Sequence, residues 1–239
     1  MCTVTYYRNK HKIILTSSRD EQPSRSTLPP VVEKINNQNV CFPKDTVAGG
    51  SWIAVSEKQT WACLLNGAES HGLITQSFPD SRGQIVLNFF RHDDSESFIE
   101  SIQKLSVAPY TLLLFDKSKT NPLIQIQWNG TSIITKEIDD SKPFIRSSST
   151  LYDAVQKQKR LSWYHKWLDK YDHHNEESLS HFHRFGHSED ASENILMKRN
   201  GIQTISISQI VLDDTMVSFT YDDILKNKVY VEKFNIESL

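Results

Sequence analysis

The sequence predicts an α+β fold built on mainly antiparallel sheets. Three observations lead there. Runs rich in β-branched and aromatic residues come in groups. Runs with apolar residues at helical spacing form separate groups. Short turn signals, rather than helices, join successive strand-like runs. Along the 239 residues the order is strands, helices, strands, helices, strands. Such segregation argues against a parallel sheet wound from alternating strands and helices. Two sheets packed between helix layers bury this set economically. No internal repeat or linker divides the chain, so a single domain over residues 1–239 is expected.

Residues 2–7 (CTVTYY) and 12–17 (KIILTS) read as a hairpin across RNKH. The second run passes into polar SSRDEQPSR, where Pro23 marks a break. Strand-like runs follow near Val31–Glu33, Val40–Phe42, Ser51–Ser56 and Trp61–Asn66. Gly49-Gly50 ahead of the last pair permits unusual backbone angles. From Ser81 to Arg91, Ile85, Val86, Phe89 and Phe90 recur at helical spacing, and a second helix is expected over Ser95–Lys104. Strands return at Tyr110–Phe115, Leu123–Trp128 and Thr131–Ile138, the last two joined by the tight-turn signal Asn129-Gly130. A long helix is expected over Tyr152–Tyr171, with Leu161, Tyr164 and Leu168 on one face, and shorter helices to Met197. Strands close the chain at Gln203–Leu212, Met216–Tyr221 and Val229–Glu232.

With 38% hydrophobic and 23% charged residues, the composition is that of a soluble globular protein with a proper core. The formal net charge of −2 provides no basic field, which argues against nucleic acid or an anionic membrane as partner. Cys2, Cys41 and Cys63 are odd in number and lack CxxC spacing. A disulfide framework is therefore not expected, and a reducing, cytoplasmic compartment is. No run approaches the roughly 20 apolar residues of a membrane span. The opening MCTVTYYRNKHK lacks the apolar core of a signal peptide, which also argues against a lipid-modified Cys2.

Cys2 is the first candidate for chemistry. Initiator Met is removed when a small residue follows, which leaves a thiol and a free α-amine on one residue. An α-amine has a pKa of about 8, so it can serve as a general base, and a thiol is a strong nucleophile once partly deprotonated. From position alone Cys2 is merely a small second residue in a strand; partners decide. Arg19 and Asp20 end the paired strand: a guanidinium favours a thiolate, and a carboxylate orients an amine. The same residues also suit a solvated turn. Asn66, closing TWACLLN, suits an oxyanion hole or a turn. Ser147 and Ser148, in the run Ser147–Thr150, suit substrate binding and helix capping equally. Trp52, as a core or substrate-wall residue, and Arg82, in the SRG before the first helix, complete the substrate-binding candidates.

A competing cluster is the polar stretch with His173, His174, His181, His183 and His187. His183 and His187 are four apart, a spacing that can ligate a metal from one helical face. Gly186 interrupts the helix and no Cys lies nearby, so satisfied surface histidines are expected and no metal site.

Several segments, in order along almost the whole chain, resemble the NRDE family, also known through the transport and Golgi organisation proteins. They are MCTVTYY, ILTSSRDE in place of the N-R-D-E signature, AGGSWIAVS, ACLLNG, SRG, PYTLLLFD, SSSTLY and RNGIQTISISQI. The family in turn resembles the cholylglycine-hydrolase and penicillin-acylase branch of N-terminal-nucleophile hydrolases, which implies an αββα sandwich. The resemblance implies Cys2 as processed nucleophile and Arg19 beside its thiol. It implies Asp20, with Glu21 as rival, holding the α-amine, and Asn66 in the oxyanion hole. Ser18 stands where the signature has Asn. Ser148 or a neighbour stands where the acylases have a second asparagine, and Arg199 is the candidate for their late arginine.

The expected function is hydrolysis of a linear amide C–N bond in a small-molecule substrate, through a thioester and without a cofactor. The alternative is a non-catalytic carrier of a small apolar ligand or haem, since haem handling is associated with the Golgi-organisation relatives.

Overall fold

The computed structural model describes residues 2–69, 78–103, 105–170, 174–185 and 187–236. In chain order the first elements are β1 (Cys2–Arg8), β2 (Ile13–Glu21), β3 (Thr27–Ile35), β4 (Gln38–Asp45), β5 (Ile53–Ser56) and β6 (Thr60–Asn66). Then come α1 (Gly83–Phe89), α2 (Ser95–Ile102), β7 (Tyr110–Asp116), β8 (Leu123–Trp128), β9 (Ile133–Glu137) and β10 (Phe144–Ser147). The chain ends with α3 (Ala154–Lys170), α4 (Glu176–Arg184), β11 (Lys198–Arg199), β12 (Ile202–Leu212), β13 (Met216–Asp223) and β14 (Lys228–Asn235). This is the α+β class expected, with two antiparallel sheets. Contacts group the chain into two compact units, Met1–Arg25 with Ser141–Leu239, and Ser26–Asp140.

The first unit holds a seven-stranded sheet in the order β10-β1-β2-β12-β13-β14, with β11 paired to β12. Strand β2 extends four residues past the polar boundary expected at Ser17. Asp20 is a poor β-former, but β1 pairs with Ser18 and Arg19 on one side and β12 pairs with Ser18, Arg19 and Asp20 on the other. Central pairing overrides propensity here. Strand β10 falls where the sequence predicts no strand; its four residues pair with β1 and include Ser147, a candidate for substrate binding or helix capping. Helices α3 and α4 pack on one face. Their Tyr164, Trp167, Leu179 and Phe182 meet Ile14, Ile145 and Val211 of the sheet, with Leu161 and Leu168 packed alongside. The short helices expected up to Met197 reduce to α4 followed by turns.

The second unit is a seven-stranded meander, β3 through β9 in sequence order. Helices α1 and α2 cover one face, burying Ile85, Val86, Phe90 and Phe98 against Val40, Ala54, Ala62, Leu64, Leu112 and Ile126. On the other side of the pleat Trp61 stacks on its cross-strand partner Phe115 with centroids 5.5 Å apart. Gly50 explains the AGGS segment: a Cβ there would lie 2.4 Å from the carbonyl carbon of Gly83, where α1 begins. Ser51 N–H donates to the Gly83 carbonyl at 3.1 Å, so the two glycine segments form one close crossing. Cys41 and Cys63 are buried in β4 and β6. Among the described residues no helix is long and apolar enough to cross a membrane.

Candidate active site

Cys2 opens β1, and the antiparallel register sets Arg19 of β2 directly opposite it. Arg19 is in turn opposite Ser206 of β12, and the register of β12 shifts between Thr204 and Ser206. Bulges of this kind re-aim side chains and recur beside active sites. Arg19 is buried, at 4% exposure. Successive strand residues point to opposite faces, so Arg19 and Asp20 do not share a face. Asp20 joins Thr16 and Ser18 on the side covered by α3 and α4.

On that side Asp20 is fully buried. The Tyr152 hydroxyl donates to its Oδ2 at 2.6 Å, and the Thr204 hydroxyl to its Oδ1 at 2.6 Å. Thr204 is fixed in turn, because its oxygen accepts the Met197 N–H at 2.9 Å. Burial pushes the Asp20 carboxyl above the usual carboxylate range, while the Arg160 guanidinium and the two hydroxyl donors pull it back. Arg160, from α3, is itself 1% exposed. It lies 3.7 Å from the Tyr152 ring centroid, donates to Thr3 Oγ1, and donates to the Asn194 carbonyl at 2.6 Å. One guanidinium thus holds the residue after Cys2 and braces the ring that holds Asp20.

A second buried link lies deeper. His183 of α4 bonds Thr5 Oγ1 through Nε2 at 2.8 Å and Ser18 Oγ through Nδ1 at 2.7 Å, tying β1 to β2. Burial depresses its pKa to about 3, so the ring is neutral. This accounts for Ser18: its short hydroxyl fits against an imidazole. It also corrects the expectation of a surface histidine patch. His183 is fully buried and His174 nearly so. His187 Nε2 donates to the Phe182 carbonyl at 2.9 Å, and His181 stacks on Phe185. His173 and Gly186 lie outside the described residues. Among those described, no three His, Cys, Asp or Glu side chains form a set able to hold a metal ion.

The remaining candidates divide. Ser147 is the cross-strand partner of Thr3, with hydroxyl oxygens 3.3 Å apart. Ser148 is buried, its hydroxyl 3.1 Å from that of Thr150. Capping of α3 falls instead to Asp153, whose carboxylate accepts the Gln156 N–H at 2.8 Å while Gln156 Oε1 accepts the Asp153 N–H. Glu21, the rival of Asp20, faces Arg25 at 3.6 Å. Arg199 lies 5.2 Å from the Tyr152 ring and donates to the carbonyls of Ser192 and Leu151. Asn66, Trp52 and Arg82 belong to the second unit. There Asn66 ends β6 opposite Tyr110, Trp52 is 6% exposed, and Arg82 donates to the Pro109 carbonyl at 3.2 Å.

Sequence reasoning missed Tyr152, Thr204 and Arg160. The first two sit inside SSSTLY and RNGIQTISISQI, segments that carried the family resemblance, so the signal was present without its meaning. Nothing in the sequence of α3 marks Arg160 as buried.

Residues 1–218 match the model of the family described as Transport and Golgi organisation 2. No curated protein matches the sequence. Among solved structures, the chain is similar to an arginine-to-leucine variant of conjugated bile acid hydrolase from Clostridium perfringens. Identity is 10% and the TM-score 0.61, over 100% of this chain and 97% of that one. A cysteine-to-alanine variant of the same hydrolase aligns at 10% identity and TM-score 0.57, over 99% and 98%. A Caenorhabditis elegans ortholog of N-acylethanolamine-hydrolyzing acid amidase aligns at 13% identity and TM-score 0.58, over 87% and 92%. These likenesses establish the fold as that of the N-terminal-nucleophile hydrolases.

Proposed function

The chain belongs to the Transport and Golgi organisation 2 family, and from that premise we propose that it is an N-terminal cysteine amidohydrolase. Its substrate is a small molecule with a linear amide C–N bond. The observation that carries this reading is the register: Cys2 begins β1 with Arg19 as its cross-strand partner. The similar structures, named as a hydrolase and an amidase, support the reaction class.

In the proposed cycle the α-amine of Cys2 takes the thiol proton, and the thiolate, favoured by Arg19, attacks the amide carbonyl to form a C–S bond. The ammonium returns its proton to the amide nitrogen as the C–N bond breaks and the amine leaves. Water then adds to the thioester, the α-amine taking its proton. The C–S bond breaks, the acid is released, and the proton returns to sulfur. Asp20 lies one step beyond Arg19 on β2, toward the end of β1 where a chain beginning at Cys2 carries its α-amine. That placement supports Asp20 as the group that orients the amine.

Intact mass and labelling with a β-lactone acyl electrophile test the proposal together. Expected are loss of the initiator Met, a single acyl adduct on Cys2, and no adduct in a folded Cys2→Ala variant. A retained Met1, or labelling confined to Cys41 or Cys63, overturns it.

A further inference from the structure

The sequence nominated Asp20 without the groups that hold it. Both carboxylate oxygens accept from neutral hydroxyls, Tyr152 on one and Thr204 on the other, each at 2.6 Å. Two short donors at fixed angles leave a fully buried carboxylate one orientation. Neither donor is itself loose. Thr204 is pinned by the Met197 N–H. Tyr152 has its ring against Arg160 at 3.7 Å, and its backbone N–H donates to the Ser148 carbonyl at 3.1 Å. Arg160 also donates to Thr3, the residue that follows Cys2. The strand carrying the nucleophile and the carboxylate beyond Arg19 are therefore braced by the same side chain.

We propose that Tyr152, with Thr204, is a positioning residue for the α-amine of Cys2, acting through Asp20 to set the pH at which that amine becomes a base. The inference rests on the proposed function, since it requires a chain that starts at Cys2. The charged and titratable groups around Asp20 are Tyr152, Arg160 and, across the ring, Arg199. His183 of α4 lies near Arg160, and Arg19 and Glu21 flank Asp20 along β2. None of these supplies a second hydroxyl for Asp20 Oδ2 if that of Tyr152 is removed.

The direction of the effect follows from charge. The last proton shared by carboxylate and amine leaves to give a carboxylate facing a neutral amine. That state carries the least compensated negative charge, so it loses most when a donor is deleted. A hydrogen bond to a charged group is strong enough to move such a titration by about one pH unit. Tyr152→Phe keeps the ring against Arg160 and deletes only the hydroxyl.

The test uses the full chain in a Cys2→Ala background, where the amine titrates without a thiol beside it. Acetic anhydride is the probe, and acetylation of residue 2 is followed by peptide mass from pH 5 to pH 10. Adding Tyr152→Phe is expected to raise the midpoint by about one pH unit. Tyr164→Phe is the control, since it removes a buried hydroxyl bonded to the Tyr6 carbonyl rather than to Asp20; it is expected to leave the midpoint unchanged. An unmoved or lowered midpoint in Tyr152→Phe, or an equal shift in Tyr164→Phe, overturns the positioning role while leaving the proposed function standing. A retained Met1, or a residue-2 amine that is never acetylated, overturns the proposed function and this inference with it.

Discussion

At the scale of single residues, the signature segment Ser18-Arg19-Asp20 shows what a strand does to neighbours in sequence. From the sequence, Arg19 and Asp20 end the paired strand and suit either a role as partners for Cys2 or a solvated turn. As the end of β2 they alternate, so Arg19 faces one way while Ser18 and Asp20 face the helices. Their identities were legible in the sequence; their division between faces was not, because it depends on β12 arriving from almost 200 residues away to keep the strand going. Ser18 has its own consequence. His183 is fully buried, and its Nδ1 bonds Ser18 Oγ at 2.7 Å. Ser18→Ala leaves that nitrogen without its hydroxyl, which costs about 1–3 kcal/mol. Urea unfolding should show a lower midpoint at unchanged slope; a midpoint equal to the parent's would show that the hydroxyl contributes nothing there.

At the scale of elements, strands with dense β-branched and aromatic content were readable, whereas β10 and β11 were not. β10 has four residues and β11 two. Both exist because a neighbouring strand offers an edge, not because their own sequences demand extension. Helix α3 was readable from its apolar spacing, with an expected start at Tyr152 two residues ahead of Ala154, whereas the run Ser147–Thr150, for which capping was one of two readings, does not supply its cap. Ser147 is taken by β10, and the cap passes to Asp153, which exchanges hydrogen bonds with Gln156. This reciprocal arrangement satisfies two backbone donors at once. Asp153→Ala should therefore lower stability by about 1 kcal/mol, read as a drop in melting temperature with little change in the fold's circular dichroism. Ser149→Ala should have a smaller effect, since that hydroxyl accepts from Lys157 rather than from a helix N–H. If the two variants melt alike, Asp153 is not the cap.

At the scale of the whole molecule, the order of strand and helix groups was enough to foresee an α+β chain with antiparallel sheets, because segregated elements leave few other ways to bury their apolar faces. The buried polar layer under α3 and α4 was not foreseeable, since its members come from five separate segments. That layer gives global stability a pH dependence. Burial holds His183 at about 3, against roughly 6.5 for a histidine in the unfolded chain. Burial also lowers His187. Between those pH values the unfolded chain binds the proton that the folded chain refuses. The His183 contribution to stability is therefore full above about pH 6.5 and falls on acidification by about 1.4 kcal/mol per pH unit. Asp20 has the opposite sign, because its carboxyl is raised by burial. Its contribution favours the folded state at low pH and is lost as pH rises through its folded value. The two oppose each other in the parent curve, so the informative quantity is a difference. In His183→Gln a neutral amide replaces the ring and does not titrate. Subtracting its unfolding free energies from the parent's, measured in urea from pH 4.5 to pH 7, should leave a line that rises with pH by one proton's worth per unit up to about pH 6.5 and then flattens. A flat difference across that range would mean that His183 accepts a proton in the folded chain, and that the link between Thr5 and Ser18 survives it.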